Sequence, residues 1–185
     1  MIRETSRRRH AVRAVLIGAT LVLAAEPMAC QRAPRPRRSQ PATVSQTVGD
    51  ARLTITYNRP VARGRTLFGG IVRWGDTWCP GADEATALET TADLMFGGQR
   101  LPQGKYTIWA VPGESEWQLI FSNAVKVWHV PYPGADQDRM RVKLTPQKGP
   151  HMESLAFYFP MSDLRAATLR LHWGETFVEV PIEVP

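Results

Sequence analysis

Cysteine is almost missing from this chain. Cys30 and Cys79 are the only two in 185 residues, so no disulfide framework is expected. With Cys30 lipidated or removed, Cys79 stands alone. Histidine is nearly as scarce, and His129, His151 and His172 show no close ligand spacing, so no metal site is expected. The P-loop, the Rossmann glycine fingerprint and GxSxG are all absent, which removes the nucleotide-binding and hydrolase classes they mark. No cofactor is expected, and no nucleophile–base pair marks a catalytic residue. A sustained helical period is lacking too; the best helical candidate, Met161 to Ala167, is one or two turns long.

Long apolar runs are also missing. The longest, Ala14 to Ala25, would span about 18 Å as a helix, short of a hydrocarbon core of roughly 30 Å. Preceded by Arg3, Arg7, Arg8, Arg9 and Arg13, it reads as the apolar part of an export signal covering residues 1–29. Ala29-Cys30 resembles the end of a bacterial lipobox, which makes Cys30 the expected lipidation site; plain cleavage near Ala24 or Ala25 is the rival. Residues 30–42 are rich in proline, arginine and serine and read as a disordered linker. The expected location is the periplasm or a membrane-anchored place in the cell envelope, with membrane contact only through a lipid on Cys30.

Excess positive charge is confined to this front end. Residues 1–38 hold nine basic and two acidic residues, a balance of +7 against +6 for the whole chain. Residues 39–185 therefore stand at −1, with fourteen basic and fifteen acidic. A folded domain without a basic surplus is not expected to bind nucleic acid.

What fills residues 43–185 is alternation. Leu53, Ile55 and Tyr57 oppose Thr54 and Thr56, the period-2 mark of a half-buried strand. The pattern recurs at Leu67–Val72, Ala85–Thr91, Tyr106–Val111, Trp117–Phe121, Val125–Val130, Met140–Leu144, Leu155–Phe159 and Leu169–Val184. Gly97-Gly98, Pro102-Gln103-Gly104 and Pro112-Gly113 supply turns. About nine or ten short strands so joined predict one all-β domain, an antiparallel sandwich or partly open barrel.

One stretch departs from this rhythm. From Tyr57 to Thr86 the chain sets Arg59, Arg63 and Arg65 beside Asp76, Asp83 and Glu84, with Trp74 and Trp78 between. Polar groups among glycines and aromatics suit a ligand pocket, and Arg59, Arg65, Trp78, Asp83 and Glu84 are its candidate lining. A guanidinium offers a planar fork to a carboxylate or phosphate. The same arginines can instead pair with Asp83, Glu84 or Glu89 and brace the loops. Pro60 places Arg59 at a strand mouth, so the pocket is expected there; Gly64 lets Arg65 turn inward as the brace. Cys79 has no histidine or other cation placed beside it and reads as a small apolar residue. Trp109, Trp117 and Trp173 read as core, and His172 as an outer-face residue.

Tyr57-Asn58-Arg59-Pro60, Gly64-Arg65, Phe68-Gly69, Trp78, Gly81-Ala82-Asp83-Glu84-Ala85-Thr86, Leu101-Pro102-Gln103-Gly104-Lys105-Tyr106, Pro112-Gly113 and Trp117 together resemble the bacterial family catalogued as domain of unknown function 2911. The resemblance implies a β domain in an exported protein, often a lipoprotein, and brings no activity, substrate or cofactor. Cys79 stands where the family pattern has arginine, and Asp83 where it has asparagine. Three functions remain open on the residues alone. The first is a non-enzymatic binding or structural module for a small polar ligand, peptide or glycan. The second is a hydrolase-like enzyme with Asp83 or Glu84 as base and Arg65 steadying negative charge. The third is a purely structural lipoprotein with an internal arginine–carboxylate brace.

Overall fold

In the computed structural model, which describes residues 37–185, the alternation of the sequence becomes an alternation of burial. Strand β1 (Gln40–Val48) turns at Gly49 into β2 (Ala51–Arg59). Along β2, Ala51, Leu53, Ile55 and Tyr57 are buried, whereas Arg52 and Thr56 are exposed. The remaining strands are β3 (Ala87–Thr90), β4 (Leu94–Phe96), β5 (Gln99–Leu101), β6 (Gly104–Val111), β7 (Trp117–Ser122), β8 (Asp138–Leu144), β9 (Gln147–Ser162) and β10 (Ala166–Glu183). They form two antiparallel sheets, ordered β1-β2-β3-β6-β7-β8 and β5-β4-β10-β9, packed as an open sandwich.

Between the sheets lie Leu53, Ile55, Leu88, Ile108, Phe96, Phe121, Leu155 and Ile182, all essentially sealed from solvent. Each such side chain is worth about 1.5–3 kcal/mol of transfer free energy. Phe96 and Phe121 meet edge to face, 4.9 Å between centroids, tying the two sheets. Strand β10 doubles back on itself at Gly174. Val184 N donates to Arg165 O at 3.0 Å, and Arg170 meets Glu179 at 2.6 Å across the two arms. Gly174 sits at φ +59, and a Cβ there would come within 2.7 Å of Leu67 Cδ1, so both backbone and space demand glycine.

Four local expectations are corrected. Met161 to Ala167 is no helix: Met161 and Ser162 end β9, and Asp163 Oδ1 accepts from Arg165 N and Ala166 N at 2.8 Å to make a turn. The one helical element among the described residues is a 3₁₀ turn at Ala135–Gln137. Leu67–Val72 is a compact loop with a lone Phe68–Val72 bridge, because Ile71 N and Val72 N donate back to Thr66 O and Leu67 O. Val125–Val130 pairs only through Trp128 and Glu84. Gln40, Pro41 and Ala42, read as linker, lie in β1 because β2 offers them partners from Tyr57 to Arg59. The export signal and Cys30 fall outside the described residues.

Two loops, residues 78–86 and 124–134, fold over the outer face of the first sheet. Beneath them Cys79, Ala85, Trp109 and Ile120 form a second small core with Val111, Val127 and Tyr132. Trp109 Nε1 donates to Thr107 Oγ1 at 2.9 Å, and Thr107 Oγ1 to Ala124 O at 2.8 Å, which pins the second loop. Only the β6–β7 side of that face is covered. The edge of the loops becomes a wall beside the uncovered strands β1, β2 and β3.

Candidate functional site

That wall and the open strands enclose a groove of about 790 Å3. Its floor follows from register: Thr56 lies opposite Ala87, Thr54 opposite Glu89, and Glu89 opposite Lys105. Side chains alternate across a strand, so these residues share the outer face while Leu53, Ile55 and Leu88 point into the core. The wall is Val125, Val127 and Trp128, with Trp128 half exposed at 50% and Val125 at 42%. Arg37, Pro41, Asn58 and Glu84 close one end.

Four of the five charges lining the groove are paired. Arg37 grips Glu84 through both terminal nitrogens, the second bond being 2.6 Å from Nη2 to Oε1. Lys105 Nζ lies 3.1 Å from Glu89 Oε2. Asn58 Nδ2 donates to Ala82 O at 3.0 Å and to Glu84 Oε2 at 3.3 Å, while its buried Oδ1 has no partner among the described residues. The Arg37 hydrogen bond, with help from Asn58 and the Arg37 charge, pulls the Glu84 carboxyl down to about 2. Arg37 is raised in turn by the same contact. Lys126, held at φ +58, is the one cation of the lining with no carboxylate in an ion pair among the described residues.

The five sequence candidates are not brought together. Glu84 alone lines this groove. Arg65 lines a second cleft of about 310 Å3 with Trp74, Lys148, His151 and Trp173. Among the described residues its guanidinium pairs with no carboxylate: Nε donates to Ala62 O at 2.9 Å and Nη2 to Val61 O at 2.6 Å. Arg59, half-buried, reaches across to Leu155 O at 3.0 Å and so ties β2 to β9. Arg59, expected at the pocket, bonds a carbonyl of β9, and Arg65, expected as the brace, bonds two carbonyls of its own loop; neither has a carboxylate partner among the described residues.

Trp78 belongs to an aromatic cluster at the end of the sandwich. It stacks on Trp173 at 6.1 Å and 12°, and meets Phe68 and Trp117 edge to face. Its backbone exchanges both hydrogen bonds with Ala110, which turns Trp78 toward the core and Cys79 toward the outer face. Asp83 holds a left-handed backbone, φ +61, and its carbonyl accepts from both His129 N at 3.0 Å and His129 Nδ1 at 2.6 Å. Asparagine and aspartate tolerate that conformation better than other residues with a Cβ. An asparagine, which the resemblance implies at this position, would satisfy the same backbone requirement.

Cys79 is 1% exposed, and burial pushes its thiol up to about 11. Thr86 N donates to its sulfur at 3.4 Å, and the thiol points at Ile108 O. It is a packed side chain with no base beside it among the described residues. His172 does lie on the outer face of its sheet, yet it is buried there between Tyr158 and Phe177. Among the described residues, no three His, Cys, Asp or Glu side chains are grouped to hold a metal.

Sequence reasoning missed Arg37, Thr54, Thr56, Asn58, Glu89, Lys105 and Trp128 as groove residues. The threonines of β2 were legible as an outer face; what covers or uncovers that face was not. Residues 39–182 match the family described as Protein of unknown function (DUF2911), and the chain belongs to that family. No match was found among curated proteins or among solved structures.

Proposed function

We propose that this DUF2911 protein is a non-enzymatic binding module of the cell envelope whose groove takes a neutral, hydroxyl-rich ligand, a short glycan. The observation that carries this reading is the internal pairing of the groove's charges beside an exposed indole. Arg37 and Glu84 satisfy each other, as do Lys105 and Glu89. A ligand charge placed on either pair would have to break it, while a sugar hydroxyl can donate to the carboxylate and accept from the cation without displacing either; Lys126 remains as a single further donor. Thr54 and Thr56 add hydroxyls along the floor, and Trp128 gives a flat apolar face for a ring. A concave site with apolar walls and a few convergent polar groups is the usual form of a small-ligand site.

Two other readings are less well supported. A hydrolase needs a base near neutral pH, and Glu84, held at about 2 by Arg37, is a poor one. Arg65, its supposed partner, lines the other cleft. An internal arginine–carboxylate brace finds no such pair at Arg59 or Arg65 among the described residues, and the Arg37–Glu84 pair that does tie the loop to the entering chain is half exposed rather than internal. The test is calorimetric titration of wild type and Trp128→Ala with a panel of neutral oligosaccharides. Binding by the wild type with a loss of at least about tenfold in the variant, as for a central aromatic anchor, supports the reading. Equal binding by both removes it.

A further inference from the structure

We propose that the loop from Ala62 to Trp74 is a docking surface for an anionic phospholipid bilayer, independent of the groove. Its composition and its exposure point the same way. Residues 61–75 contain Arg63, Arg65 and Arg73, all exposed, and no acid. The same loop shows Ile71 at 48% exposure and Trp74 at 39%, against a chain whose large apolar side chains are mostly sealed. Basic residues interleaved with an aliphatic and an indole fit the polar–apolar boundary of a membrane, where indoles settle at headgroup depth and guanidinium groups meet phosphates.

The loop is preformed. Gly69 N donates to Val72 O at 2.8 Å, Ile71 N to Thr66 O at 3.1 Å and Val72 N to Leu67 O at 2.9 Å. Trp74 lies against Phe68 at 6.2 Å and 23°, and any Cβ on Gly69 would strike its Nε1 at 2.6 Å. Behind the loop, the cleft lined by Arg65 also holds Lys148, one further cation. Glu175 lines it too, and Glu153 pairs with His151 and Arg63 N, so the positive surplus belongs to the loop itself.

Placement supplies the reason for a bilayer rather than another anionic partner. Gln40 pairs with Arg59, so the chain enters the sandwich at the end from which this loop springs. Cys30, the expected lipid site, precedes Arg37 by seven residues, a reach of at most about 25 Å when extended. A lipid on Cys30 would tether the chain seven residues before Arg37, on the side of β1 that leads to this loop.

The experiment mixes the full chain with vesicles of phosphatidylglycerol and phosphatidylethanolamine, and separately with phosphatidylcholine alone. Variants are Arg63→Ser/Arg65→Ser/Arg73→Ser, Ile71→Ser/Trp74→Ser, and the opposite-end control Leu164→Ser, where Leu164 is 88% exposed. Both loop variants are expected to lose at least about tenfold in vesicle partition while Leu164→Ser binds as wild type. Because all carry the same basic front end, a second reading isolates the loop. Brominated acyl chains should quench a component of tryptophan fluorescence that Trp74→Phe lacks. Loop variants that bind as wild type, binding equal on phosphatidylcholine, or quenching unchanged in Trp74→Phe would each overturn the proposal. Capture of a protein or soluble polyanion by the loop without vesicle binding would overturn it as well.

Discussion

The Arg37 guanidinium and the Glu84 carboxylate form a two-pronged pair across 47 residues of sequence, at the closed end of the groove. It joins the last residues of the front segment to the most polar loop of the domain. Glu84 also accepts from Asn58 of β2, so one carboxylate holds the loop, the strand and the entering chain together.

The pH dependence of that pair follows from its sign. Glu84 is lowered from 4.5 to about 2, so its contribution to stability is fully present above about 4.5 and is lost as pH falls through about 2. Carboxyl carbon chemical shifts in an NMR titration should show Glu84 titrating near 2 in the wild type and moving toward 4.5 in Arg37→Ala. A midpoint unchanged by the substitution would remove the pair.

Trp78 is a core residue on this account. Partly buried, stacked on Trp173 and packed edge to face on Phe68 and Trp117, it should cost about 2–3 kcal/mol on truncation to alanine, just below the range of fully buried tryptophans. Urea melts give the value. A loss near zero would return Trp78 to the surface.

Asp83 tests the backbone reading. At φ +61, Asp83→Asn should be nearly neutral in stability, whereas Asp83→Ile should cost about 1–2 kcal/mol from left-handed strain. Similar losses for both would mean that the carboxylate, not the backbone, matters.

Cys79 is expected to be silent in the folded protein. With its thiol pushed up to about 11 and 1% exposed, it should react with a disulfide reagent at pH 8 only on unfolding. Fast labelling of the native chain would contradict this burial.

Much of the sandwich could be read from the sequence, because burial in a strand is a local, period-2 signal. Leu53, Ile55 and Tyr57 name the core face of β2 without reference to anything else. The site was less legible because it is built from tertiary choices. Whether Trp78 or Cys79 faces the core is decided by the bridge to Ala110, which the sequence does not announce. Glu84 is legible as a polar site candidate, but its partner Arg37 lies in a stretch whose composition reads as linker. Likewise, Leu67–Val72 has strand composition, yet its N–H groups find closer acceptors within the loop than in any neighbouring strand.

The most direct measurement of the central claim is a map of backbone and indole NMR shifts as neutral oligosaccharides are added to the labelled protein. The account expects shifts at Thr54, Thr56, Glu84, Lys105 and the Trp128 indole, with Arg65 and Trp74 unmoved. Shifts at Arg65 and Trp74 alone, or none at the groove from any glycan in the panel, would contradict it.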